Sequence, residues 1–115
     1  MNINMSINIF SKSSMGKALK DALAEHSFVK AEYEFKTMME NFLVRGSIDL
    51  IFKNKDGTYT LLDYKSDKEI KPATYFKQQK WYRTAASRLL GCKEKDIKCF
   101  LYYLRYNETI EIMIS

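Results

Sequence analysis

Val44-Arg45-Gly46-Ser47-Ile48-Asp49-Leu50-Ile51-Phe52-Lys53, the break Asn54-Lys55-Asp56-Gly57, and Thr58-Tyr59-Thr60-Leu61-Leu62-Asp63-Tyr64-Lys65-Ser66 decide the fold of this chain. Both flanking runs are rich in β-branched and apolar residues and read as strands. Lys55-Asp56-Gly57 suits a three-residue hairpin loop, a type I turn whose third residue is left-handed, where glycine carries no Cβ penalty. Asn54 then faces Thr58. Counting back in that register pairs Lys53 with Tyr59, Ile51 with Leu61 and Asp49 with Asp63. Directly opposed strand residues hold their Cβ atoms about 4.5 to 5.5 Å apart, and like charges there repel unless something positive lies between them. A divalent cation fits such a gap. Side chains alternate along a strand, so Lys65 shares the face of Asp63 while Tyr64 points the other way. Asp49, Asp63 and Lys65 are therefore expected to converge.

Working outward, Met1 to Phe10 alternates polar and apolar residues as a short edge strand or an ordered lead-in. Met15, Ala18, Leu19, Ala22 and Leu23 recur at helical spacing behind Ser13 and Ser14, either of which could cap the first turn. Phe28 to Lys36 alternates as a strand and carries Glu32, a second-rank candidate to hold the metal or its water. A second helix is expected from Pro72, tolerated in a first turn, to Gly91, suited to a left-handed C-cap. On it, Tyr75, Gln78, Tyr82, Ala85 and Leu89 fall on one face. Gln78 stands out there, because a buried amide must find hydrogen-bond partners. Ile97 to Tyr106 and Thr109 to Ile114 close the domain as two strands joined around Asn107-Glu108.

Three of these stretches together resemble a known family. Gly46-Ser47-Ile48-Asp49-Leu50-Ile51, then Asp63-Tyr64-Lys65-Ser66-Asp67, then Tyr75-x-x-Gln78-x-x-x-Tyr82 are similar in order and spacing to the nuclease domain of RecB and AddA helicase-nucleases, within the PD-(D/E)XK superfamily. Upstream, Phe10-Ser11-x-Ser13-x-Met15-Gly16-Lys17 and Glu32-Tyr33-Glu34-Phe35 extend the likeness, so that roughly residues 9 to 105 take part. The resemblance implies an α/β, restriction-endonuclease-like fold with an αβββαβ core and a central mixed sheet flanked by helices. It implies Mg²⁺ or Mn²⁺ held by Asp49, Asp63 and the backbone carbonyl of Tyr64, with Gln78 and Tyr82 contacting the active site or the substrate strand. Lys65 would position and help deprotonate the attacking water, or stabilise charge in the transition state. One ion or two both stay open.

The family's metal-binding histidine lies on a helix well upstream, whereas His26, the one histidine here, follows a helix and precedes a strand. A cation at that place favours the helix dipole, so His26 reads as a helix-end residue. The chain is accordingly expected to be a single domain that is a fragment or reduced relative of a larger helicase-nuclease. DNA and a helicase domain or subunit of the same complex are the expected partners, and repair of broken DNA ends by recombination is the expected setting. Two other functions remain: a DNA-binding or regulatory module of this fold without turnover, and a restriction- or phage-type endonuclease.

Composition fits these expectations. The chain has 115 residues, 46% hydrophobic and 14% aromatic, enough for one core. It contains no Gly-x-x-x-x-Gly-Lys-Ser/Thr loop, so this segment is not expected to bind ATP. No apolar run approaches a membrane span of about 18 residues, nor does the N-terminus read as a secretory signal. A cytoplasmic protein is expected, with Cys92 and Cys99 as free thiols that are too few for a zinc or iron–sulfur cluster. A net charge of +5 around a central pair of carboxylates suits a phosphate-backbone substrate.

Overall fold

The computed structural model describes residues 14–25 and 27–114. The expected N-terminal strand, the Phe10, Ser11 and Ser13 positions and His26 lie outside these. The elements are α1 (Ser14–Ala24), β1 (Val29–Met39), β2 (Phe42–Lys53), β3 (Tyr59–Lys65), α2 (Phe76–Leu90), β4 (Ile97–Tyr103) and β5 (Glu108–Ile112). One 3₁₀ turn, Pro72–Tyr75, leads into α2 and another, Glu94–Asp96, follows it. None of the helices is long and apolar enough to cross a membrane, among the described residues.

The five strands lie in sequence order, and every neighbouring pair is antiparallel except β3 and β4. That exception follows from the connection: parallel strands cannot be joined by a tight turn, and α2 supplies the crossover. The sheet is covered on both faces. Leu50, Phe52, Leu62, Tyr64 and Tyr102 pack against Leu19 and Ala22 of α1. Ile48, Ile51, Leu61, Leu101 and Tyr103 pack against Ala85 and Ala86 of α2. Two-sided burial is why β3 and β4 read as nearly continuous apolar runs rather than strict alternation.

The β2–β3 turn has the expected form. The Gly57 N–H donates to the Asn54 carbonyl at 3.1 Å, Asn54 N–H donates to Thr58 O at 2.7 Å, and Gly57 sits at φ 87°. Lys53 pairs with Tyr59 and Ile51 with Leu61, the register counted from that loop. At the other end of β2 the strands run further than expected, to Met39 and from Phe42, around a two-residue turn. Glu40 and Asn41 both have positive φ, 49° and 69°, which matches the right-handed twist of a hairpin. Arg88 of α2 donates to the Met38 carbonyl and, at 3.3 Å, to the Thr37 hydroxyl, tying the hairpin's tip to the helix.

The second helix ends as expected, with Gly91 at φ 66° as its left-handed C-cap, but its α-helical part starts at Phe76, four residues after Pro72, which opens the 3₁₀ turn instead. Its face differs: Leu89 is 44% exposed, while Leu90 packs on the core. The closing strands are shorter than expected, because Asn107 turns the chain at φ 47° and accepts a 2.6 Å hydrogen bond from the Tyr102 hydroxyl.

Candidate active site

The site forms where β2 and β3 part. Their ladder ends at Leu50 and Leu62, one rung short of the two aspartates. There the Asp49 carboxylate replaces a backbone acceptor, taking a 2.8 Å hydrogen bond from the Tyr64 N–H. The N–H and C=O of one strand residue point to the same side, so the Tyr64 carbonyl also faces this opening. Its ring points away, into the α1 cluster, as the alternation requires.

Asp63 is buried and reached from three directions. Lys65 Nζ lies 2.9 Å from its Oδ2, with only 12% and 10% of the two side chains exposed. Gln79, wholly buried on α2, donates Nε2 to the same oxygen at 3.1 Å. Asp49 lies close enough for the two carboxyls to interact. Partial burial, then that contact and the charge of Asp63, push the Asp49 carboxyl up to about 7, against the opposing pull of the Tyr64 N–H and Lys65. Burial and a neighbouring like charge both favour the protonated form of the Asp49 carboxyl. The same donors, two carboxylates and a carbonyl facing one gap, suit an oxygen-seeking divalent ion that would displace the proton. No third aspartate, glutamate, histidine or cysteine joins them among the described residues.

Lys65 is held on its far side as well. Its ammonium donates to Gln78 Oε1 at 3.3 Å and sits 3.7 Å from the centre of the Tyr75 ring. Gln78 Nε2 in turn reaches the Tyr82 hydroxyl at 3.4 Å. The Tyr75 hydroxyl donates to Asp67, a bond that raises the phenol to about 12. Burial, then the charges of Asp63 and Asp49, raise the Tyr82 hydroxyl too.

The same stretches find counterparts among known proteins. The pattern of the PD-(D/E)XK nuclease superfamily matches residues 9–113. The chain belongs to this superfamily. A curated relative from Clostridium acetobutylicum, an ATP-dependent helicase/nuclease subunit, is 36% identical over 81 aligned positions that cover 64% of this chain and 6% of the relative. The fold and a nuclease-type function follow from the family match.

Within this nuclease domain, Asp49, Asp63, Lys65, the Tyr64 backbone, Gln78 and Tyr82 are brought together. Gln78 is exposed rather than buried; the buried amide is its neighbour Gln79, which the sequence did not single out. A helical stripe read from spacing alone is uncertain by one residue in phase, and only docking on the sheet settles it. Glu32 does not reach the carboxylates. It is exposed and, although its rung lies opposite Asp49, it takes φ 50° and drops out of a ladder that resumes at Tyr33. Both strands change face at this rung. Val29 and Leu50 lie on the α1 side, whereas Tyr33, Phe35 and Ile48 lie on the α2 side. The break turns Phe35 over α2, where it meets Tyr82 edge-on at 5.5 Å. Gly46 opposite leaves room for that pair: a Cβ there would lie 2.6 Å from Phe35 Cζ and 3.2 Å from Tyr82 Cε1. The glycine of the first motif is thus a packing requirement of the tyrosine in the third.

Proposed function

We propose that this domain is a divalent-metal-dependent deoxyribonuclease that hydrolyses phosphodiester bonds at the Asp49–Asp63 pair. The observation that carries the reading is the contact of two carboxyls, one raised to about 7, beside an ammonium 2.9 Å away. Carboxylates placed so closely are an electrostatic cost to a fold unless a cation resolves it. Asp49, Asp63 and the Tyr64 carbonyl would hold Mg²⁺ or Mn²⁺, which supplies Lewis-acid polarisation of a phosphoryl oxygen and a more acidic bound water.

The chain's own residues do the rest. Lys65 presents one positive charge at the open side of Asp63, where a scissile phosphate would develop negative charge, and can orient the attacking water. Gln78 and the Tyr75 ring fix the ammonium, so it need not reorganise during reaction. Gln79 holds Asp63 in one rotamer, and Tyr82 holds Gln78. The likeness to one helicase/nuclease protein supports a place for this chain as the nuclease module of a helicase-containing complex that processes DNA ends for repair.

Calorimetric titration of Mg²⁺ and Mn²⁺ into wild type and Asp63→Ala, with cleavage of linear DNA assayed on the same preparations, tests this. Binding and cleavage that both vanish in the variant support it. No metal binding by wild type overturns it, and binding without cleavage reduces the domain to a metal-stabilised DNA-binding module.

A further inference from the structure

The Glu40–Asn41 turn meets the outer side of α2, and between them lies a cavity of about 520 Å³ bounded by Glu40, Phe42, Phe76, Lys77, Lys80 and Trp81. A smaller one of about 150 Å³ adjoins it, sharing Glu40, Lys80 and Trp81 and adding Arg88. Nothing in the catalytic constellation uses these side chains. Phe42 is 65% exposed and Phe76 42%, a large apolar surface to leave in water. Lys77 extends its ammonium over the Trp81 ring at 5.5 Å. Lysines 77 and 80 and Arg88 face one carboxylate, Glu40, so the groove is cationic as well as aromatic; Arg88 is already engaged by Thr37 and Met38.

Aromatic faces interleaved with ammonium groups match the sugar-phosphate backbone and bases of an unpaired strand. In a duplex both faces of each base are already stacked and unavailable. An apolar segment of a protein would use the phenylalanines but gain nothing from Lys77 and Lys80, whereas a polyanion uses both. Lys77, Lys80 and Trp81 lie on the outer side of the same helix whose Gln78 and Gln79 reach Lys65 and Asp63. We propose that this groove binds unpaired nucleotides of the strand presented to the carboxylate pair, with bases stacked on Phe42 and Trp81 and phosphates on Lys77 and Lys80. This deepens the deoxyribonuclease reading and rests on it for the identity of the polymer.

Trp81 is the sole tryptophan, so emission excited selectively from tryptophan, away from the eight tyrosines, reports on the groove. A short single-stranded oligodeoxynucleotide titrated into the protein in EDTA should quench it saturably, while a blunt duplex of the same length quenches little. Phe42→Ala should weaken binding about tenfold, the loss of one stacked base. Lys77→Ala with Lys80→Ala should lower the salt slope of log affinity by about 1.4, two phosphate contacts on a single strand. Absence of quenching, equal quenching by duplex, or unchanged binding in both variants would overturn the proposal; all variants alter exposed side chains and are checked for folding by circular dichroism. Because EDTA removes catalysis, the two readings fail separately. Cleavage without quenching sinks the groove, and quenching without metal-dependent cleavage sinks the catalytic assignment.

Discussion

Asp49→Asn should stabilise this protein in the absence of metal, and increasingly so as the pH rises. The asparagine reproduces the protonated carboxyl: its Oδ1 can keep the 2.8 Å bond from the Tyr64 N–H, and its amide can donate to Asp63. The carboxyl of Asp49 is raised from 3.8 to about 7. Between those values the folded protein holds a proton that the unfolded chain has released, so wild-type stability falls as pH rises from about 4 and the loss is complete above about 7. At about 1.4 kcal/mol per pH unit the ceiling is roughly 4 kcal/mol, and solvent reaching a half-buried carboxylate reduces it to about 2. In a domain of this size about 2 kcal/mol is roughly 8 °C in Tm. Thermal unfolding of both proteins in EDTA should therefore coincide near pH 4 and diverge by that amount at pH 8. Added Mg²⁺ should then raise wild type and leave Asp49→Asn unmoved. A variant no more stable than wild type at pH 8, or a difference independent of pH, would refute the account of Asp49 as a carboxyl whose ionisation is opposed by burial and by its neighbour.

Other substitutions probe the supporting shell. Gly46→Ala forces a Cβ into the Phe35–Tyr82 pair and should cost about 1 to 3 kcal/mol in chemical denaturation and lower cleavage through displaced Tyr82 and Gln78. Glu32→Gly should preserve metal affinity and raise stability by up to about 1 kcal/mol, whereas Glu32→Val, which resists φ 50°, should destabilise by more than that; equal behaviour would mean the carboxylate, not the backbone, matters. Gln79→Met removes the amide that holds Asp63 and should weaken metal binding about tenfold in calorimetry while changing Tm little, since the buried Gln79 Oε1 has no partner to lose. Lys65→Met should retain metal binding and reduce cleavage about 10²- to 10⁴-fold; an active variant would remove Lys65 from the chemistry.

Local chemistry made the centre of this fold legible. Asn54 to Gly57 admits few turn geometries, and a strand's period of two leaves little freedom beyond the turn, so the register from Lys53–Tyr59 to Leu50–Leu62, which stops one rung short of Asp49 and Asp63, followed from a dozen residues. Gly91 ended the second helix and Pro72 opened the 3₁₀ turn that leads into it for the same reason, each having a backbone preference strong enough to act without help. The hairpin tip was harder to read, because Glu40 seldom adopts positive φ and does so here in a tip that Arg88 ties to α2.

The sequence by itself determined the carboxylate pair, the lysine beside it and the order of elements, because turn chemistry and strand alternation act between residues close in the chain. The tertiary structure alone decided that Gln79 rather than Gln78 is buried on Asp63, that Glu32 turns the ribbon instead of binding in the site, and that Gly46 makes way for Phe35 and Tyr82. Each of these depends on how α2 docks against strands far from it in sequence, and docking is set by the fit of whole surfaces, which no short pattern of residues encodes.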